Sequence, residues 1–276
     1  MLGPDTVRAG HFSLGTVRRK PAGRRVSELV STAVAAVRSV AAYTLAAAYV
    51  AVAGTFGLLV VVPLKWKGVL YALGHGGVWL ALGAAGIRYR VAGRPLIPVG
   101  RAVVFCANHQ SNVDPPVLYR VLHRRLHILF KAELRKLPIL GVVMETGGFV
   151  AVERGRRDEA LASIDLAADS IRQGNSFLIF PEGTRSRTDE LLPFKKGGFI
   201  MALKAQAPIV PVAITGGRDA MRRGSRIVRP VTLSVRIGAP VSTEGLGPKD
   251  RDAVIADVRA RIEALVAEGP IVAGDH

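Results

Sequence analysis

Two apolar stretches near the amino terminus constrain this chain more than any other feature. Ser39 to Leu64 runs 26 residues without a charge; Lys65-Trp66-Lys67 follows, and then Gly68 to Ile87. Each stretch, as a helix, is long enough to cross a hydrocarbon core about 30 Å thick. Two crossings would leave Lys65 and Lys67 on the far side, opposite the arginine-rich flanks. A hairpin dipping into one leaflet avoids that conflict, keeps Trp66 and the lysines near the headgroups, and suits a second half broken by Gly74, Gly76 and Gly77. The bland alternative is an Ala-rich helical pair packed wholly on a soluble core. No secretory signal is expected, because the charged lead of 38 residues is too long for one.

Beyond Ile87 the pattern changes to strands alternating with helices. Ile87 to Val91, Ala102 to Ala107, Ile128 to Lys131, Gly148 to Val152, Ser176 to Phe180, Ile209 to Ile214 and Val231 to Ile237 read as strands. Pro115 to Leu122, Asp158 to a stop at Gly174, Gly197 to Ala207, and Asp250 to Glu268 read as helices, while Leu134 to Thr146 is mixed. The expected class is α/β, a mainly parallel or mixed sheet flanked by helices, with the two-helix hairpin in front. Three parts follow: a basic lead over 1–38, the apolar element over 39–87 and an α/β domain over 88–276.

The formal net charge of +17 calls for a polyanionic partner. Basic residues cluster at Arg18 to Arg25, Arg120 to Lys136 and Arg218 to Arg236, without the interleaved aromatics of a base-stacking platform. An anionic membrane surface is therefore expected and nucleic acid is not. The lone Cys106 excludes a disulfide framework and reads as a small buried strand residue, although a Cys-His pair with His109 is conceivable.

The chemistry concentrates in Asn108-His109-Gln110-Ser111-Asn112-Val113-Asp114, just after the strand ending at Ala107. Ligands of open α/β sheets bind at such carboxyl ends. Asp114 before Pro115 marks a helix start with Asp at the N-cap, so His109 lies in the loop. If the loop curls, the carboxylate can hold the Nδ1 proton and leave Nε2 as a general base. A hydrogen-bonded loop histidine beside a mere cap is the competing reading.

A second block, Phe180-Pro181-Glu182-Gly183-Thr184-Arg185-Ser186, also follows a buried strand and opens on the same edge. Gly183 permits close backbone approach to an anion, and Arg185 can fork onto a phosphate. Glu182 could orient Arg185 or accept from a substrate hydroxyl. A backbone N–H near Gly183 is one candidate donor to a developing oxyanion.

These two blocks resemble the first and third motifs of the glycerolipid acyltransferases in their bacterial 1-acylglycerol-3-phosphate (lysophosphatidic acid) acyltransferase form. Lys131, Leu134, Pro138, Gly141, Gly147 and Arg154 fall at the spacing of the second motif, and Ile209 to Ile214 at the fourth. The resemblance implies direct acyl transfer from acyl-CoA or acyl-carrier protein to the free hydroxyl of a lysophospholipid acceptor, giving phosphatidic acid. No metal or cofactor is implied beyond that thioester co-substrate. His109 would be the base and Asp114 its orienter. Lys131, Arg154 and Arg185 would hold the acceptor phosphate with Glu182, Gly183 and Thr184 around it, and the fourth motif would lie near the donor. It further implies attachment at the cytoplasmic face of the cell membrane through the hairpin, with acyl-carrier protein as a further candidate partner.

Outside that context Lys131 and Arg154 would read as surface charge, and Pro211 as an edge or bulge feature. Acylation of glycerol 3-phosphate or of a larger phospho-headgroup lipid is the runner-up activity. Two other classes stand beside the enzyme: a nucleic-acid binder and a non-catalytic lipid-binding scaffold.

Overall fold

The computed structural model describes residues 22–123, 125–137, 139–152, 157–188 and 190–272. It opens with helix α1 (Ala22–Tyr49), prolonged by two π-helical turns, Val50–Gly54 and Gly57–Val61, and a tight turn at Lys65, where φ is 55°. Helix α2 (Lys67–Ala85) runs back. The glycines of α2 make the pairing close: a Cβ on Gly76 would sit 2.9 Å from the Tyr49 hydroxyl and one on Gly77 2.7 Å from its ring. That hydroxyl donates to the Leu73 carbonyl at 2.9 Å. The first helix begins at Ala22, inside the expected basic lead, because the helical pattern continues upstream through Val26, Leu29 and Val30. Residues 1–21 of that lead lie outside the described residues.

Among the described residues seven strands follow: β1 (Arg88–Ala92), β2 (Val104–Ala107), β3 (Leu126–Lys131), β4 (Val150–Val152), β5 (Ser176–Ile179), β6 (Ile209–Thr215) and β7 (Thr232–Ile237). They form one sheet in the order β1-β7-β6-β2-β5-β3-β4, parallel throughout except for the antiparallel β6–β7 pair. The helices between them are α3 (Asp114–Val121), α4 (Leu140–Thr146), α5 (Arg157–Arg172), α6 (Gly197–Ala205), the single turn α7 (Gly217–Ala220) and α8 (Arg251–Ala267).

The sheet is covered on both faces, which is why its central strands are continuously apolar. Phe105 and Ala107 of β2 pack with Leu118, Tyr71 and Leu82 under the hairpin, whereas Val104 and Cys106 face α5, α6 and α8 through Ala168, Phe199 and Val258. Fully buried Phe105, Leu118 and Phe199 each contribute about 1.5–3 kcal/mol by leaving water. Pro211 sits inside β6 without breaking the sheet. Opposite it, three residues (238–240) span the distance that two (210–211) cover, a bulge between the Val212–Ile237 and Ile209–Val241 pairings.

The hairpin leaves its outer side bare. Leu29, Val37, Val40, Val52, Leu59 and Trp79 are all more than 60% exposed. Exposed apolar side chains grouped in this way mark a surface for a partner or a membrane, and the two helices are, by length and composition, long and apolar enough to cross one.

Candidate active site

Strands β2 and β5 are parallel neighbours, with Cys106 opposite Ile179, so the loops leaving them rise from the same sheet edge. The first is a compact cradle. Asn108 continues the sheet beyond β2 by side chain, accepting from the Ile214 N–H at 2.7 Å and donating to the Ile214 carbonyl at 2.9 Å. Ser111 donates to the Met221 carbonyl at 2.9 Å. Between these pins the chain curls and brings His109 Nδ1 to 2.9 Å from Asp114 Oδ2. The same oxygen accepts the N–H groups of Gln110 and Ser111, both at 2.6 Å.

Asp114 is therefore not an N-cap. It is the first residue of α3, and its wholly buried carboxylate serves the loop instead. Burying a charge there is tolerable because three donors converge on it. A carboxylate only accepts, so Nδ1 carries the proton and Nε2 has the lone pair. Among the described residues Nε2 has no partner, and the imidazole, 15% exposed, stacks on Phe180 at 4.2 Å between centroids.

The second loop holds the backbone of His109 from both sides. Glu182 Oε1 accepts the His109 N–H at 2.7 Å, and the Ser186 N–H donates to the His109 carbonyl at 2.8 Å. The other oxygen of Glu182 accepts the Leu192 N–H at 3.0 Å. Glu182, expected at the acceptor phosphate, thus faces inward and is 3% exposed; a buried carboxylate takes the N–H groups within reach. Burial pushes its carboxyl up, partly offset by those two N–H groups. Burial first, and Glu182 second, likewise hold the Cys106 thiol well above its usual range, which removes it as a nucleophile for His109.

Gly183 takes φ +65°, and its N–H is spent on the Phe180 carbonyl at 3.0 Å, so that N–H is not the donor expected for an oxyanion. The N–H groups of Thr184 and Arg185 are unengaged among the described residues. A Cβ on Gly183 would meet Lys195, 2.9 Å from its Nζ. The sequence reading missed this lysine; its signal was the Lys195-Lys196 pair preceding α6. Lys131 ends β3 on the same edge, opposite Val152, while its side chain lies outside the described residues. Arg154 and Pro138 also lie outside them. The apolar fourth motif forms the buried strand β6, where Ile214 anchors Asn108; none of its residues lines the cavity described next.

That cavity, about 680 Å³, lies between the hairpin and the sheet. Its walls come from Ala46, Val50, Leu70 and Gly77 of the hairpin, Val143 and Met144 of α4, and Asn112, Val113 and Pro115 of the His109–Asp114 loop and the start of α3. An almost wholly apolar chamber thus begins at the loop that carries His109 and Asp114. Its size lies within the range of small-molecule sites, roughly 300–1,000 Å³.

Residues 88–215 match the Acyltransferase family. A 1-acyl-sn-glycerol-3-phosphate acyltransferase from Limnanthes douglasii is 32% identical over 196 residues, 68% of this chain and 68% of the plant protein. The chain belongs to the acyltransferase family. Within it, the 1-acyl-sn-glycerol-3-phosphate acyltransferase alpha of Mus musculus is 34% identical over 185 residues, and the chain spans 65% of that protein's length. The crystal structure of the 1-acyl-sn-glycerophosphate (LPA) acyltransferase PlsC from Thermotoga maritima shares the fold at TM-score 0.73 and 24% identity, covering 86% of this chain and 98% of that one.

Proposed function

We propose that this family member transfers a fatty acyl group from acyl-CoA or acyl-carrier protein to the free hydroxyl of 1-acylglycerol 3-phosphate, giving phosphatidic acid. The observation that carries the reading is the His109–Asp114 pair, held at 2.9 Å in a loop whose Asn112 and Val113 line an apolar cavity. His109 Nε2 takes the hydroxyl proton while the alcohol oxygen attacks the thioester carbonyl. As the tetrahedral intermediate collapses, the C–S bond breaks and the imidazolium returns the proton to the leaving thiolate. The buried Asp114 carboxylate stabilises that imidazolium. The thioester is already activated, so no covalent enzyme intermediate is needed.

Arg185, Lys195, Lys131 and Arg154, with the free N–H groups of Thr184 and Arg185, are the candidates for the acceptor phosphate. Glu182 and Ser186 act indirectly, by fixing the backbone of His109. Cavity and hairpin support lipid substrates presented at a membrane surface: residues 39–87 lie in the cytoplasmic leaflet as a hairpin, and 88–276 carry the catalysis. Purified protein supplied with acyl-CoA or acyl-carrier protein donors should turn over lysophosphatidate faster than glycerol 3-phosphate. The opposite order would move the activity to glycerol 3-phosphate, and vesicle binding without product would make the chain a scaffold.

A further inference from the structure

Between α7 and β7 runs a loop whose charge the reaction does not use. Residues 221–230 hold Arg222, Arg223, Arg226 and Arg229 and no acidic residue. The first three are exposed, and among the described residues none of the four guanidinium groups meets a carboxylate. The loop is fastened to the membrane hairpin. Val228 N–H donates to the buried Ser39 Oγ at 2.7 Å, and the Tyr43 hydroxyl donates to the Arg226 carbonyl at 2.9 Å. At that level α1 turns Val37, 71% exposed, and Val40, 65% exposed, outwards. Two hydrogen bonds thus hold a cluster of unpaired cations beside an apolar stripe. Arg38, whose guanidinium lies against Gly86, adds a further cation at the same level.

We infer that the loop 222–229 is a headgroup-binding surface that docks on anionic phospholipid of the leaflet receiving the outer stripe of α1. A membrane covers cations and stripe together, because phosphates lie immediately above acyl chains; an acidic protein matched to the arginines would leave the stripe in water. The contact also reaches the reaction centre: Arg223 Nη1 donates to the Arg185 carbonyl at 3.0 Å, so docking turns the phosphate-binding loop towards the lipid surface. The inference rests on the membrane contact of α1 and not on which acceptor is acylated.

The test sediments purified full-length protein with phosphatidylcholine vesicles, with and without phosphatidylglycerol. Each arginine near an anionic surface is worth roughly a fivefold gain in binding, partly screened by salt. Wild type should therefore prefer the anionic vesicles by at least about tenfold. The triple variant Arg222→Gln, Arg226→Gln, Arg229→Gln, which spares Arg223, should lose most of the preference while keeping its melting temperature and its binding to neutral vesicles; the three-lysine version should regain it. Retention of the preference by the triple glutamine variant overturns the inference. So does abolition of the preference by millimolar inorganic phosphate, which would mark a free-phosphate site. Loss of turnover confined to acyl-carrier-protein donors, with vesicle binding unchanged, would assign the surface to an acidic carrier instead. Wild type bound equally to both vesicles refutes the loop alone, and wild type bound to neither refutes the membrane contact of α1 as well.

Discussion

Gly217→Ala adds one methyl group where the account allows none. Gly217 opens α7 with a negative φ, so alanine imposes no backbone strain. Its Cβ, however, would overlap Asp114 Oδ1 and come within 3.2 Å of Ser111 Cβ and 3.3 Å of Asp114 Cγ. Oδ1 is buried and, among the described residues, has no hydrogen-bond partner, so no bond of its own resists displacement. It must withdraw by roughly 1 Å to regain van der Waals separation. Turning the carboxylate that far disturbs the three donors on Oδ2, His109 Nδ1 among them. Overpacking of this kind costs about 1–3 kcal/mol of stability. Misplacing a catalytic group by about 1 Å costs up to about 100-fold in rate. The assay pairs a thermal melt with turnover of radiolabelled lysophosphatidate: the melting temperature should fall by a few degrees and kcat by roughly 10- to 100-fold. A variant that melts early yet turns over normally would show that the seat of Asp114 does not matter to the chemistry.

Asp114→Asn should lower kcat by roughly 10²–10⁴, since it removes the charge that holds the imidazolium. It should also destabilise the fold by about 1–3 kcal/mol, because three donors lose their ionic acceptor; calorimetry with a turnover assay reads both. His127, buried among Tyr71, Phe149 and Phe177, is held down to about 4 by burial first and then by Lys67 and His123. The unfolded chain takes up this proton near 6.5 and the folded chain does not, so the stability is complete above 6.5 and is lost as pH falls towards 4, by up to about 3 kcal/mol. His127→Phe should flatten that part of the melting temperature profile, and an unchanged slope would place its origin elsewhere.

The element pattern was legible because it is local. Period-two and period-3.6 spacing, with a break at Gly174, place most of the strands and helices within a few residues. Strand order was not legible, because the pairing of β1 with β7 joins residues far apart in sequence and no short-range pattern encodes it. The site divides the same way. His109 and Asp114 lie five residues apart, and their partnership follows from type and spacing. Ser186, Ile214 and Gly217 act on that loop from 70 to 110 positions away, through backbone groups or mere smallness, and neither leaves a mark on composition; Glu182 acts by its carboxylate, but on a backbone N–H that residue type does not announce. Asp114 misled as an N-cap because the same side chain that caps a helix can reach back into the preceding loop when that loop curls.

The central claim is that His109 Nε2 removes the acceptor proton. The most direct measurement is single-turnover formation of radiolabelled phosphatidic acid from lysophosphatidate and acyl-CoA, by wild type and by His109→Ala shown to fold and to bind vesicles equally. The account predicts product from wild type and a rate lower by roughly 10²–10⁴ from the variant. Near-normal chemistry in His109→Ala would contradict it.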